Sequence, residues 1–246
     1  MDDKKVDVDR IKTGDILLFC RKDFIGKWIR SLTYCRWTHV AIAVRIQGDS
    51  VDDFKVVSSG GHLYVMEAID DDWDDDFLSQ TVKKDFRLCP IEYRMRKEYS
   101  LIAYRSLDSS SVHKSYLEKT KQFLLEHKDS KFYKSEFQLL KLWLTMNPNS
   151  SNIENKKPNE YCCTTIAAKY LHQVLGIQIE ENLIPTSFTY YECDHHGLLL
   201  RDIYAPEVDF WISPEEWHES IGLMLAFLIV WVVFWWFSSS WVFKTG

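Results

Sequence analysis

The 246-residue chain carries a net charge of −6, from 30 Lys and Arg against 36 Asp and Glu, and no basic stripe offsets that excess. This argues against a nucleic-acid-binding surface. Hydrophobic residues at 46% and charged residues at 27% describe a chain that can bury one substantial core and is not disordered. Six cysteines without regular spacing, and no apolar segment after Met1-Asp2-Asp3-Lys4-Lys5, argue against a secreted disulfide scaffold. The thiols are read as reduced and the main domain as cytosolic.

Residues 1–12 form a charged lead-in. Gly14-Asp15 then turns the chain into a short apolar run ending at Cys20, which predicts a buried strand. Phe24, Ile25, Trp28, Ile29 and Leu32 recur with the spacing of a short amphipathic helix. The Val-, Ile- and Ala-rich run from Arg36 to Ile46 predicts a central strand with His39 at its leading edge. A return strand is expected near Phe54–Val57, and another over His62–Ile69 that carries Glu67 in an otherwise apolar setting. The acidic run Asp70–Asp76 lacks the ordered spacing and turn glycine of a calcium loop and reads as a solvated loop. Strands are predicted at Phe86–Tyr93 and Ser100–Leu107, and helices over Ser111–His127 and Ser135–Met146. The polar stretch Asn147–Asn159 delivers the chain to a further helix.

That helix opens at Cys162-Cys163 and ends at Gly176, with Ile166, Ala167, Tyr170, Leu171, Val174 and Leu175 at helical spacing. Both cysteines fall in its first turn, where the dipole and unpaired N–H groups favour a negative group and hence a nucleophilic thiolate. Cys162, His39 and Glu67 then read as one set: thiol hydrolysis needs a thiolate, an imidazole to take and return its proton, and a polar group to hold the imidazole in one tautomer.

The order Thr13-Gly14-Asp15-Ile16-Leu17-Leu18-Phe19, Thr38-His39-Val40-Ala41-Ile42-Ala43-Val44, Val65-Met66-Glu67-Ala68 and Tyr161-Cys162 resembles the circularly permuted branch of the NlpC-type papain-like cysteine hydrolases. That branch includes YiiX-like and poxviral members and, more distantly, lecithin–retinol acyltransferase-like enzymes. The resemblance spans roughly residues 13–205. It implies an α+β fold, a circularly permuted papain-like arrangement in which an antiparallel sheet packs on helices. It also implies Cys162 as nucleophile, His39 as general base and acid, and Glu67 as the residue orienting His39. The family pattern has Ser-Glu after the cysteine, where this chain has Cys163-Thr164. The Cys162 backbone N–H is a natural oxyanion donor.

Ile221–Phe243 holds no charged residue and as a helix would span roughly 35 Å, with Trp231, Trp235, Trp236 and Trp241 crowding its second half. This predicts a single-pass C-terminal transmembrane anchor with the main domain cytosolic. The expected organisation is a lead-in (1–12), a hydrolase domain (13–205), an acidic connector (206–220) and the anchor (221–243). The expected substrate is peptide-like or acyl-lipid, with the membrane as partner through the anchor and no nucleic acid. No cofactor or metal is expected. Cys162, Cys163, Cys193, His195 and His196 are the rival zinc set, but adjacent pairs without C-x-x-C spacing make a poor tetrahedron. The other rivals are an acyltransferase and a catalytically silent interaction module of the same fold.

Overall fold

The computed structural model describes residues 8–22, 26, 27, 30, 36–68, 76–78, 86–96, 99–108, 110, 112–132, 160–177, 188, 204–206 and 208–212. The chain divides into two compact units, Met1–Trp211 and Ile212–Gly246, and Ile212 is the sole described residue of the second. After a 3-10 turn at Val8–Arg10 come β1 (Ile16–Arg21), β2 (His39–Gln47), β3 (Lys55–Val57), β4 (His62–Ala68) and β5 (Phe86–Pro90). Helix α1 (Ile91–Arg96), β6 (Tyr99–Arg105), α2 (Tyr116–His127), β7 (Lys131–Phe132), β8 (Glu160–Tyr161), α3 (Cys163–Gln173) and β9 (Val208–Ile212) follow.

Seven strands form one sheet in the order β5-β4-β2-β1-β6-β9, with β3 also beside β2. The pairs β1–β2, β1–β6, β2–β3, β2–β4 and β4–β5 are all antiparallel. Ile42 faces Ile16 on one edge and Met66 on the other, so β2 is fully flanked. That is why its residues are buried on both sides and read as a nearly unbroken apolar run.

Alternation along the strands separates two cores. Ile16, Leu18, Val40, Ile42, Val44 and Met66 point to the face covered by α2 and α3, where they meet Phe123, Leu124, Ile166, Ala167 and Tyr170. Leu17, Phe19, Ala41, Ala43, Val65, Cys89, Ile91 and Tyr99 form the core of the opposite face, beneath α1. The two helices are joined by a 3.0 Å hydrogen bond between the Thr120 and Tyr170 hydroxyls and by the edge-on packing of Phe123 on Tyr170.

The Thr13-Gly14-Asp15 turn is a structural device. Gly14 has φ of 94°, and a Cβ there would come within 2.7 Å of the Leu107 side chain, so only glycine fits. Asp15 accepts the Lys12 and Leu107 N–H groups at 2.8 Å each, and the Tyr204 hydroxyl donates to the Gly14 carbonyl at 2.8 Å.

Several expectations are corrected. The strand predicted over Phe86–Tyr93 stops at Pro90, which has no N–H for the ladder, and Ile91 and Arg94 then bury one face of a short helix. Asp76 is not solvated: it is buried and accepts the Leu78 and Leu88 N–H groups. Within the stretch expected as a connector, Val208–Ile212 forms β9 beside β6. The expected fold class included one C-terminal transmembrane helix, and the expected localisation a single-pass anchor; both are corrected. The fold is a mostly antiparallel sheet with few helices, and no helix among the described residues is long and apolar enough to cross a membrane. The longest, α2, has 12 residues, about 18 Å against a hydrocarbon core of about 30 Å. Residues 221–243 lie outside the described residues, as do the helix predicted over 135–146, Asp70–Asp75 and residues 193–196.

Burial raises the Asp15 carboxyl from 3.8 to about 6, although the two N–H donors and the charges of Lys12 and Arg45 oppose the rise. The folded protein therefore binds a proton here more tightly than the unfolded chain does. The associated stability is complete below the unfolded value and lost as pH rises through about 6, a swing of about 3 kcal/mol at 1.36 kcal/mol per unit. The stability of the wild type relative to Asp15→Asn should fall between about pH 4 and pH 7 in paired urea titrations. A difference that stays flat would refute the assignment.

Candidate active site

His39 is delivered to its position by Thr38. The Thr38 N–H and hydroxyl both donate to the Phe19 carbonyl, and the same hydroxyl accepts the Arg21 N–H at 2.9 Å. This clamp fixes the register in which His39 lies opposite Phe19. The imidazole packs on Phe19 and lies nearly parallel to Tyr99, with ring centroids 5.6 and 6.4 Å away. Its Nε2 meets Glu67 Oε2 at 2.8 Å. The expected base and its orienting carboxylate are thus in direct contact, and Nδ1 is the ring nitrogen left for proton exchange.

Glu67 has no exposed surface. Burial alone would raise its carboxyl, but the charge of Arg94 and then the bond to His39 outweigh it and hold the group below the usual range. Oε1 receives Arg94 through Nε at 2.7 Å and through Nη2, Arg87 through Nε at 3.1 Å, and the Cys89 thiol at 3.4 Å. Neither arginine was singled out from the sequence. The signal was indirect: a carboxylate within an apolar strand demands a cation, and Arg87 lies directly across from Glu67 in the β4–β5 register.

Cys162 is the N-cap of α3, with extended backbone at φ −106° and ψ 175°. Its N–H donates to the Thr165 hydroxyl at 2.8 Å, completing a capping box in which the Thr165 backbone N–H is paired to the cysteine side chain. The sulfur lies 3.2 Å from the Thr164 hydroxyl and 3.4 Å from that of Thr165. Two consequences follow. The N–H expected to serve an oxyanion is occupied by Thr165, and the sulfur bonds threonine hydroxyls, with no hydrogen bond to His39.

The sheet explains the separation. His39 and Glu67 belong to the face lined by Phe19, Tyr99 and Cys89, whereas Cys162 belongs to the face under α3. α3 approaches the leading end of β2. Cys163 marks the spot, because its sulfur interacts with the backbone of Val40, the residue after His39. Cys162 is 8% exposed, and Cys163 is half-buried and packed against the core under α3. Desolvation nonetheless pushes the Cys163 thiol far up, with Cys162 and Glu67 adding to the rise. Among the described residues no group of three or more His, Cys, Asp and Glu converges as a metal site would, and Cys193, His195 and His196 lie outside them.

A thiol held protonated is a poor nucleophile. Limiting iodoacetamide near neutral pH should therefore modify Cys162 before Cys163, as read by mass spectrometry of the α3 peptide. Faster modification of Cys163 would move the nucleophile to the second sulfur.

No family model matches the chain, and no curated protein matches it. Among solved structures it is similar to the metalloprotein yiiX from Escherichia coli O157:H7 (DUF1105), at 13% identity and a TM-score of 0.43 over 69% of this chain and 69% of that one. A likeness of that size carries no argument about the chemistry.

Proposed function

We propose that the chain is a thiol hydrolase that cleaves an amide, peptide-like or acyl-ester bond, with Cys162 as nucleophile, His39 as general base and acid, and Glu67 orienting His39. The observation that carries the reading is the buried 2.8 Å contact between His39 Nε2 and an ionised Glu67, at the end of the strand that α3 meets with its thiols. The motif order shared with NlpC-type cysteine hydrolases supports it, because Tyr161-Cys162 stands where that pattern has its nucleophile.

In the proposed reaction, Cys162 Sγ attacks the substrate carbonyl carbon while its proton passes to His39 Nδ1. Collapse of the tetrahedral intermediate breaks the bond to the leaving amine or alcohol, which takes that proton. Water, deprotonated by His39, then attacks the thioester, releasing the acid and returning the proton to sulfur. Catalytic hydrogen bonds in a free enzyme are often long and tighten in the substrate complex, so this sequence requires Cys162 Sγ to leave the Thr164 and Thr165 hydroxyls for His39 Nδ1.

The silent-module reading has one observation in its favour: both the sulfur and the Cys162 N–H already have partners within the chain. Assaying the full chain against peptide, isopeptide and acyl-ester substrates separates the two. Cys162→Ala and His39→Ala should each lower turnover by at least about 10²-fold, and Glu67→Gln by less. Unchanged turnover in His39→Ala would overturn the assignment, and no turnover by the wild type on any of the three classes would favour the module.

A further inference from the structure

We propose that Arg94 is a positioning residue for the hydrolase reading above: by occupying Glu67 Oε1 it turns the carboxylate so that Oε2 faces His39 Nε2, which fixes the proton on Nε2 and the lone pair on Nδ1. The inference deepens that reading and rests on it. Glu67 divides its two oxygens by partner. Arg94, Arg87 and Cys89 share Oε1, while Oε2 makes the contact with His39. Arg94 supplies two of its nitrogens to that oxygen, and its attraction is the largest of those opposing the burial of Glu67.

The surroundings leave this arrangement little freedom. Arg94 and Arg87 are 2% and 1% exposed. The Arg94 guanidinium lies 5.8 Å over the Tyr99 ring, the same ring that stacks on His39, so one aromatic plane abuts both members of the relay. Two guanidiniums against one carboxylate also keep Glu67 charged and therefore an acceptor. A protonated Glu67 could instead donate to Nε2 and leave the ring proton on Nδ1, where it would block uptake of the thiol proton.

The experiment compares Arg94→Met, Arg94→Lys and Arg94→Met in a Glu67→Gln background, all in the full chain. It has two readouts: nitrogen-15 chemical shifts of His39, which report the tautomer, and the pH dependence of kcat/KM. In the wild type the Nε2–H form should dominate. Arg94→Met should raise the Nδ1–H fraction, lower kcat by about 10-fold or more within the roughly 10²–10⁴-fold that positioned acid–base catalysis contributes, and shift the acidic limb upward. Arg94→Lys should restore most of the Nε2–H population. In the Glu67→Gln background, Arg94→Met should have little further effect on kcat, because its action passes through the carboxylate. A folded Arg94→Met that keeps the wild-type tautomer and pH profile would overturn the proposal. If Arg94→Met does not fold, a Glu67→Gln/Arg94→Met protein that folds and loses a further 10-fold relative to Glu67→Gln would overturn it as well. Should the wild type show no turnover at all, the hydrolase reading fails, while the tautomer measurement still decides whether Arg94 sets His39.

Discussion

A carboxylate without water must be compensated where it stands, and the described side of the sheet around β4 is built to do this for Glu67. An isolated ion in such a place costs several kcal/mol after relaxation. The compensation comes from separate elements: Arg87 on β5, Arg94 on α1 and His39 on β2. Each of these contacts is a tertiary constraint as well as an electrostatic one. Breaking a buried ion pair by removing one partner costs about 3–5 kcal/mol. The dependence also has a sign. Because Glu67 is held below its ordinary value, its share of the stability is present at neutral pH and is lost as pH falls through the folded value, the reverse of Asp15.

This concentration of charge explains the division of the sheet into two kinds of face. Under α2 and α3 the packing is apolar, with Ile16, Leu18, Ile42, Ile166, Ala167 and Leu171 excluding water. On the other face, Ala41 and Ala43 pack with Leu63 and Val65, and aromatic Phe19 and Tyr99 flank His39. Arg45 continues that face at the far end of β2, donating to the Ile11 and Gly61 carbonyls and tying down the N-terminal segment. The same strand therefore supplies core on both sides, with His39 and Arg45 at the two ends of one of them.

Much of this was legible in the residues. The apolar runs that became β1, β2 and β4 and the cysteine-bearing helix follow from local pattern, because a flanked strand and a packed helix face leave periodic traces, whereas the pairing of His39 with Glu67 was implied by the family resemblance. What escaped depends on long-range choice. A lone Glu in an apolar strand announces a cation, but nothing local selects Arg87 and Arg94 from the 30 Lys and Arg in the chain. Val208–Ile212 was hidden in an acidic context, although Val, Phe, Trp and Ile are good strand formers. The side of the sheet that α3 would occupy relative to His39 could not be read from the strand pattern either, since β2 is apolar on both sides and its alternation is silent about which face a helix covers.

That last point bears on the chemistry more than the others. Thr165 holds the Cys162 N–H, and the Thr164 and Thr165 hydroxyls hold the sulfur, so the cap that starts α3 engages both the amide and the thiol of Cys162. On the proposed reading, a substrate carbonyl oxygen must displace the Thr165 hydroxyl as acceptor of the Cys162 N–H, and the sulfur must leave its hydroxyl partners for His39 Nδ1. Both exchanges swap one hydrogen bond for another, so their net cost is small compared with that of leaving a buried donor empty. They are also coupled, because the same threonine side chain stands in both. On that reading, a carbonyl that displaces Thr165 would remove one of the two hydroxyls that hold the sulfur and leave the Thr164 contact as the one to be exchanged for His39 Nδ1.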